Sequence, residues 1–216
     1  MSGTPYGCLQ DVVVDPIFPE VDVALRRGRH FTADDGDPYH FLVDAHPFLQ
    51  DLYARFQCEL VRADGYFFLL PTGDRLGARH LTIGEMLIGQ ALALVRLDPT
   101  SLKTGSVVPR AQVLELLAGL VGRERLVRAL NPRRKNPADE RVAQENARRE
   151  LDRAVRALVD LGFLDALDGD QLRVRAPVMR FAEPVVGIED TAEGLRALVA
   201  RGGAVLLDGA IEGDEP

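Results

Sequence analysis

The stretch from Glu150 to Arg175 constrains the fold of this 216-residue chain more than any other segment. Leu151, Ala154, Val155, Leu158 and Leu161 recur at helical spacing and fall on one side of a wheel. The helix they define is stopped by Gly162. Two short apolar runs follow at once, Phe163–Leu167 and Gln171–Arg175, around the turn Asp168-Gly169-Asp170. A long helix delivered directly into a tight hairpin is the end of a winged helix. Three short helices cannot cover their own core, and the hairpin closes the open side.

The elements leading into that helix agree. Thr82 and Glu85 form a capping-box pair ahead of a helix running to about Leu97, apolar nearly all round and therefore destined for burial. Pro109 opens a helix with Val113, Leu116, Leu117 and Leu120 on one face, ended by Gly122. A short helix through Leu126 and Leu130 and the loop Asn131–Asn136 come next, and Asn136–Asp139 caps the long helix. The N-terminal part repeats the order. A short helix starts after Asp15-Pro16 and closes at Gly28; Arg29–Gly36 reads as a polar loop. A helix from Asp37 to about Phe56 carries Phe41, Phe48, Leu52 and Phe56, with Pro47 expected to divide or kink it. Cys58–Arg62 and Tyr66–Leu70 flank Ala63-Asp64-Gly65, a hairpin signal. The fold class expected is mainly α with small β-hairpin wings, a tandem winged helix. Its units are 15–76 and 80–182, followed by a C-terminal helix and acidic tail over 183–216.

The chemistry in the sequence is mostly negative. A phosphate loop, an HExxH zinc motif, a nucleophile elbow and a dinucleotide fingerprint are all missing. His40, Asp44 and His46 lie close together, but His46 is turned away from the other two, and a zinc site wants three or four convergent ligands. Cys58 reads as a small core residue, His30 as a core or loop-anchoring histidine, and Gly202-Gly203 as a helix end. No enzyme, metal or cofactor is expected. Neither a secretory signal nor an apolar run of membrane length is visible, so cytoplasmic residence is expected.

The charge pattern points elsewhere. The chain carries a net charge of −7, yet eleven Lys/Arg against six Asp/Glu lie between Arg123 and Arg156, a basic island in an acidic protein. On the long helix Arg149, Arg153, Arg156 and Asp160 fall opposite the apolar stripe, and Arg133, Arg134 and Lys135 sit in the loop before it. These six basic residues are the candidate DNA-binding set, contacting phosphates with little base readout. The competing reading is a solvated face neutralised by Glu145, Glu150 and Asp152 through i,i+3 and i,i+4 pairs.

Several segments also resemble the MukE family, the non-ATPase subunits of the bacterial MukBEF condensins. They are Asp15-Pro16-Ile17-Phe18-Pro19, Ala24–His30 (ALRRGRH), Leu52–Arg62 (LYARFQCELVR) and Gly65–Pro71 (GYFFLLP). The likeness continues through Ile88–Leu102 and, less tightly, to Phe181. It implies a tandem winged-helix homodimer that binds the kleisin MukF, through it the SMC ATPase MukB, and double-stranded DNA weakly and without sequence preference. It also implies a nucleoid-associated role in chromosome condensation and segregation. MksE-type relatives, including plasmid-restricting Wadjet-type condensins, share that architecture. Asp160 departs from the family pattern, being acidic where a basic residue is expected. A stand-alone winged-helix transcription regulator is the alternative of a different class; it would bind a short operator tightly by itself.

Overall fold

A computed structural model describes residues 5–77, 79–97, 105–122, 126 and 140–182. They are mainly helical with two small antiparallel sheets. The chain divides into two compact units, Met1–His80 with Asp160–Gly162, and Leu81–Val159 with Phe163–Pro216.

In the first unit, α1 (Leu9–Val14) and α2 (Phe18–Arg26) precede β1 (Phe31–Thr32), a 3-10 turn at Ala33–Asp35, and α3 (Asp37–Ala54). The hairpin β2 (Cys58–Ala63) and β3 (Tyr66–Pro71) follows. Its two-residue turn has φ of 48° at Asp64 and 81° at Gly65. Both central residues are left-handed, as a turn matching the strand twist requires. Two expectations are corrected here. Part of the polar loop Arg29–Gly36 is a strand: Phe31 pairs with Phe67 and Thr32 with Tyr66, so β3 is central in the order β1-β3-β2. Of the division or kink expected at Pro47, the division does not occur: α3 runs as a single 18-residue helix with the proline inside it.

The buried stripe of α3 is Phe41, Leu42, Ala45, Leu49 and Tyr53, with Phe48 and Leu52 half-buried beside it and Phe56 exposed beyond the helix end. Tyr53 donates to Asp22 Oδ1 at 2.9 Å, and Asp22 also accepts from Arg26, whose guanidinium lies 4.5 Å from the Phe56 ring centroid. Phe56 is thus covered by a cation on α2 rather than by the core. Helix α1, not foreseen from the sequence, starts where Asp11 accepts from the backbone of Gly7 and Cys8; its Val12 is fully buried.

The second unit holds α4 (Ile83–Leu97), β4 (Val107–Pro109), α5 (Arg110–Val121), α6 (Glu140–Asp160, whose last residue belongs to the first unit), β5 (Leu164–Leu167), β6 (Gln171–Val174) and a 3-10 turn at Ala176–Phe181. The capping box is formed as expected: Thr82 N–H donates to Glu85 at 2.8 Å and Glu85 N–H to the Thr82 hydroxyl at 3.2 Å. Ten residues of α4 are buried, Glu85 and Gln90 among them. Gly89 lies against Phe181, where any side chain would meet the ring. The hairpin lies where the sequence places it, with Gly169 and Asp170 at φ 73° and 59°. Strand β4 was not anticipated; Val108 pairs with Leu172, giving the order β4-β6-β5. Among the described residues no helix is long and apolar enough to cross a membrane.

Candidate nucleic-acid interface

Helix α6 is held by its apolar side. Leu151, Ala154, Val155 and Leu158 are all buried, as is Leu161 just past the helix end. A register so determined leaves the opposite side to water. Arg149, Arg153 and Arg156 are exposed there, together with Glu145 and Asp160, and Arg148 is exposed on the flank between that side and the stripe.

The arginines are not equivalent. Arg149 pairs with Glu145, one turn before it. Arg153 pairs with Glu150 at 3.3 Å. Arg156 donates from Nε to the Asp152 carbonyl oxygen at 3.2 Å. The Asp152 carboxylate is taken by Arg110, at the start of α5, at 3.1 Å, and Arg110 also lies 3.6 Å from Asp170 at the hairpin tip. Two of the pairs on which the solvated-face reading depends therefore exist. Over its length α6 carries five arginines (Arg141, Arg148, Arg149, Arg153, Arg156) and five carboxylates (Glu140, Glu145, Glu150, Asp152, Asp160), so its own charge is balanced. Four of the five excess positive charges of the island lie in residues 123–139.

Three of the six candidate residues, Arg149, Arg153 and Arg156, are thus together on one exposed helix face. Arg133, Arg134 and Lys135 lie outside the described residues, as do the caps Asn136–Asp139, the Leu130 segment and everything from Glu183 on. Arg148, exposed on the same helix, is not among the six candidates. A criterion of strict opposition to the apolar stripe passes over it, although it stands only about 80° from Arg156 around the helix. The hairpin itself offers a phosphate little. Asp168 and Asp170 are at its tip, and Arg173 of β6 is committed to Asp165 at 2.8 Å.

The other singled-out residues are structural. His30 is 3% exposed and stacks on Phe68 with ring centroids 5.3 Å apart. Its backbone N–H donates to the Leu161 carbonyl at 2.8 Å, and Nδ1 lies 3.1 Å from the same oxygen. A carbonyl only accepts, so the proton is on Nδ1. Arg29 ties Asp35 at 3.1 Å and reaches the Asp160 carbonyl at 3.3 Å. Gly162, at φ 77°, touches the His30 carbonyl so closely that a Cβ would overlap it. All of these residues belong to the first unit. Cys58 is buried, its thiol donating to Phe56 O at 3.4 Å, and burial pushes its pKa up. His40 is exposed, whereas His46 is half-buried with its ring 5.5 Å from Phe67. Among the described residues no group of three or more His, Cys, Asp or Glu could hold a metal ion.

Comparison with known proteins bears on what such a face serves. The model of the MukE-like family matches residues 7–215. The chromosome partition protein MukE of Shigella flexneri is 30% identical over 207 residues, covering 94% of this chain and 91% of its own. The proteins of that name from Escherichia coli K12 and Pasteurella multocida are 30% and 32% identical, over 94% and 93% of this chain and 88% and 83% of their own. With nearly the whole length matched on both sides, the chain belongs to the MukE-like family.

Proposed function

We propose that this protein is a non-catalytic subunit of a bacterial SMC condensin that acts in chromosome condensation and segregation. Family membership over residues 7–215 is the observation that carries the reading. In it the two units are tandem winged helices, 15–76 and 80–182, with 183–216 as a C-terminal extension. The order of helices and three-stranded sheets supports that assignment. The protein works as a cytoplasmic, nucleoid-associated homodimer. It binds a MukF-like kleisin and, through it, a MukB-like SMC ATPase.

Its contribution to DNA contact is made by Arg149, Arg153 and Arg156 on α6, with Arg133, Arg134 and Lys135. A charge-balanced helix in an acidic chain supports weak binding without base readout. Three phosphate contacts would give a salt slope of about −2.7.

The deciding experiment is co-purification with the cognate kleisin at low salt, followed by anisotropy on random and operator-like duplexes. Complex formation with sequence-indifferent DNA binding is expected. Failure to co-purify, with tight selective binding to one duplex, would instead identify a transcription regulator. A nuclease gene beside the kleisin and SMC genes would indicate the plasmid-restricting role.

A further inference from the structure

The arginines of α6 fall into two classes by the carboxylates that surround them. We propose that Arg148 and Arg156 are the standing phosphate contacts of this face, and that Glu145 and Glu150 hold Arg149 and Arg153 in reserve. This rests on the reading of α6 as a DNA-contacting helix and revises its contact set: Arg148 joins Arg156, and Arg149 and Arg153 count as contacts only once their glutamates are displaced.

Of the carboxylates on α6 one turn from Arg148 or Arg156, Glu145 and Asp152 are already engaged, and Asp160, four residues after Arg156, is exposed and makes no side-chain pair with it. Glu145, three residues before Arg148, pairs with Arg149. Asp152, four residues after it, pairs with Arg110. Glu150 pairs with Arg153. Arg156 uses Nε on a backbone carbonyl, and among the described residues its two terminal nitrogens carry no partner. Arg148 is exposed and has no carboxylate partner among the described residues. A phosphate approaching either meets guanidinium nitrogens that need displace only water.

For Arg149 and Arg153 a phosphate must first replace a carboxylate. Both pairs are in water, with the arginine side chains 64% and 72% exposed, so the competition is weak and reversible. An exposed pair of this kind corresponds to about a two- to fivefold change in an equilibrium constant. The two glutamates thereby set how many phosphates the helix takes at a given salt concentration. The acidic hairpin tip, with Asp168 and Asp170, keeps the approach on the helix itself.

The test is a double-mutant series read by fluorescence anisotropy on a random-sequence duplex at three salt concentrations, with circular dichroism confirming the fold of each full-length variant. In the wild-type background R148Q and R156Q should each lower affinity and reduce the salt slope by about 0.9, the signature of one lost phosphate contact. R149Q and R153Q should leave the slope unchanged. In an E145Q/E150Q background affinity should rise about two- to fivefold per pair, and R149Q and R153Q should now each cost one contact.

The control is E115Q, which removes an exposed carboxylate of α5 that pairs with none of the four arginines. An equal gain from E115Q, or a gain from E145Q/E150Q that survives R149Q/R153Q, would mean generic charge and overturn the proposal alone. Equal slopes lost by all four single variants in the wild-type background would do the same. If a folded quadruple variant binds as the wild type does, or the wild type does not bind at low salt, both the proposal and the DNA reading of α6 fall.

Discussion

Gly162 and His30 show how much a single position can decide. Gly162 needs a left-handed backbone and has no room for a Cβ against the His30 carbonyl. Gly162→Ala should therefore cost about 1–3 kcal/mol. At this chain length that lowers the thermal midpoint by roughly 2–4 °C per kcal/mol, readable by calorimetry. Tyr6 supplies a pH-dependent case. Burial foremost, then its 2.8 Å hydrogen bond to Asp15 and the charges of Asp15 and Asp44, push its hydroxyl pKa up to about 12. The unfolded chain ionises tyrosine near 10, roughly its free value. The neutral hydroxyl therefore stabilises the fold fully below pH 10, and that stabilisation is lost as pH rises to 12. Denaturant midpoints across this window should fall less steeply for Tyr6→Phe than for the wild type. An identical fall would show that the Tyr6 hydroxyl does not carry the effect. Tyr53 is also driven upward, chiefly by burial and by Asp22, and adds to the same alkaline loss in both proteins.

At the scale of elements, a helix that is buried on one side and charged on the other separates stability from binding. Reversing Arg149, Arg153 and Arg156 to Glu leaves the apolar stripe of α6 untouched. The loss of two exposed pairs and the new acidic i,i+3 and i,i+4 neighbours should together cost about 1–3 kcal/mol, with the helix still formed. DNA affinity should fall uniformly across sequences. A collapse of the circular dichroism signal would show instead that the arginine side supports the fold. Helix α4 behaves in the opposite way, because ten of its residues are buried and its N-terminus depends on a reciprocal cap. Thr82→Ala removes one half of that cap and should cost about 1 kcal/mol in urea unfolding. The hairpin β2–β3 shows why a strand pattern need not alternate. Tyr66, Phe67, Phe68 and Leu69 are all buried, since β3 is central and both of its faces are covered. Tyr39 packs on Phe67 from one side, and His30 on Phe68 and Tyr66 from the other.

For the whole molecule, the exposed apolar side chains of the first unit include Val14 at 73%, Val23 at 46% and Val13 at 42%. Exposed valines on two neighbouring helices are consistent with an assembly subunit, and the proposed homodimer would have twice the mass of the 23.7 kDa chain. Light scattering at micromolar concentration should show that mass. A monomer mass throughout would remove the dimer from the proposal.

Local signals were enough to place α3, α4, α6 and both hairpins, because each depends on neighbours in sequence. Asp-Gly turns, a Thr-x-x-Glu cap, a glycine at a helix end and an apolar stripe are decided within a few residues of themselves. The exposed arginines of α6 were legible for the same reason, since a helix that buries one side must expose the other. What was not legible depends on residues far apart in the chain. The strands β1 and β4 are two and three residues long and exist only because β3 and β6 offer them an edge. His30 had no partner at any helical or strand spacing; it meets Leu161, 131 residues on, through a backbone carbonyl that no side-chain pattern announces. The continuity of α3 through Pro47 was likewise decided outside local propensity, where Ala45 and Leu49 on either side are held in the core. Which arginines are already paired was settled by the tertiary structure as well. Asp152 looked available to its own helix, and only the tertiary structure brings Arg110, at the start of α5, to it.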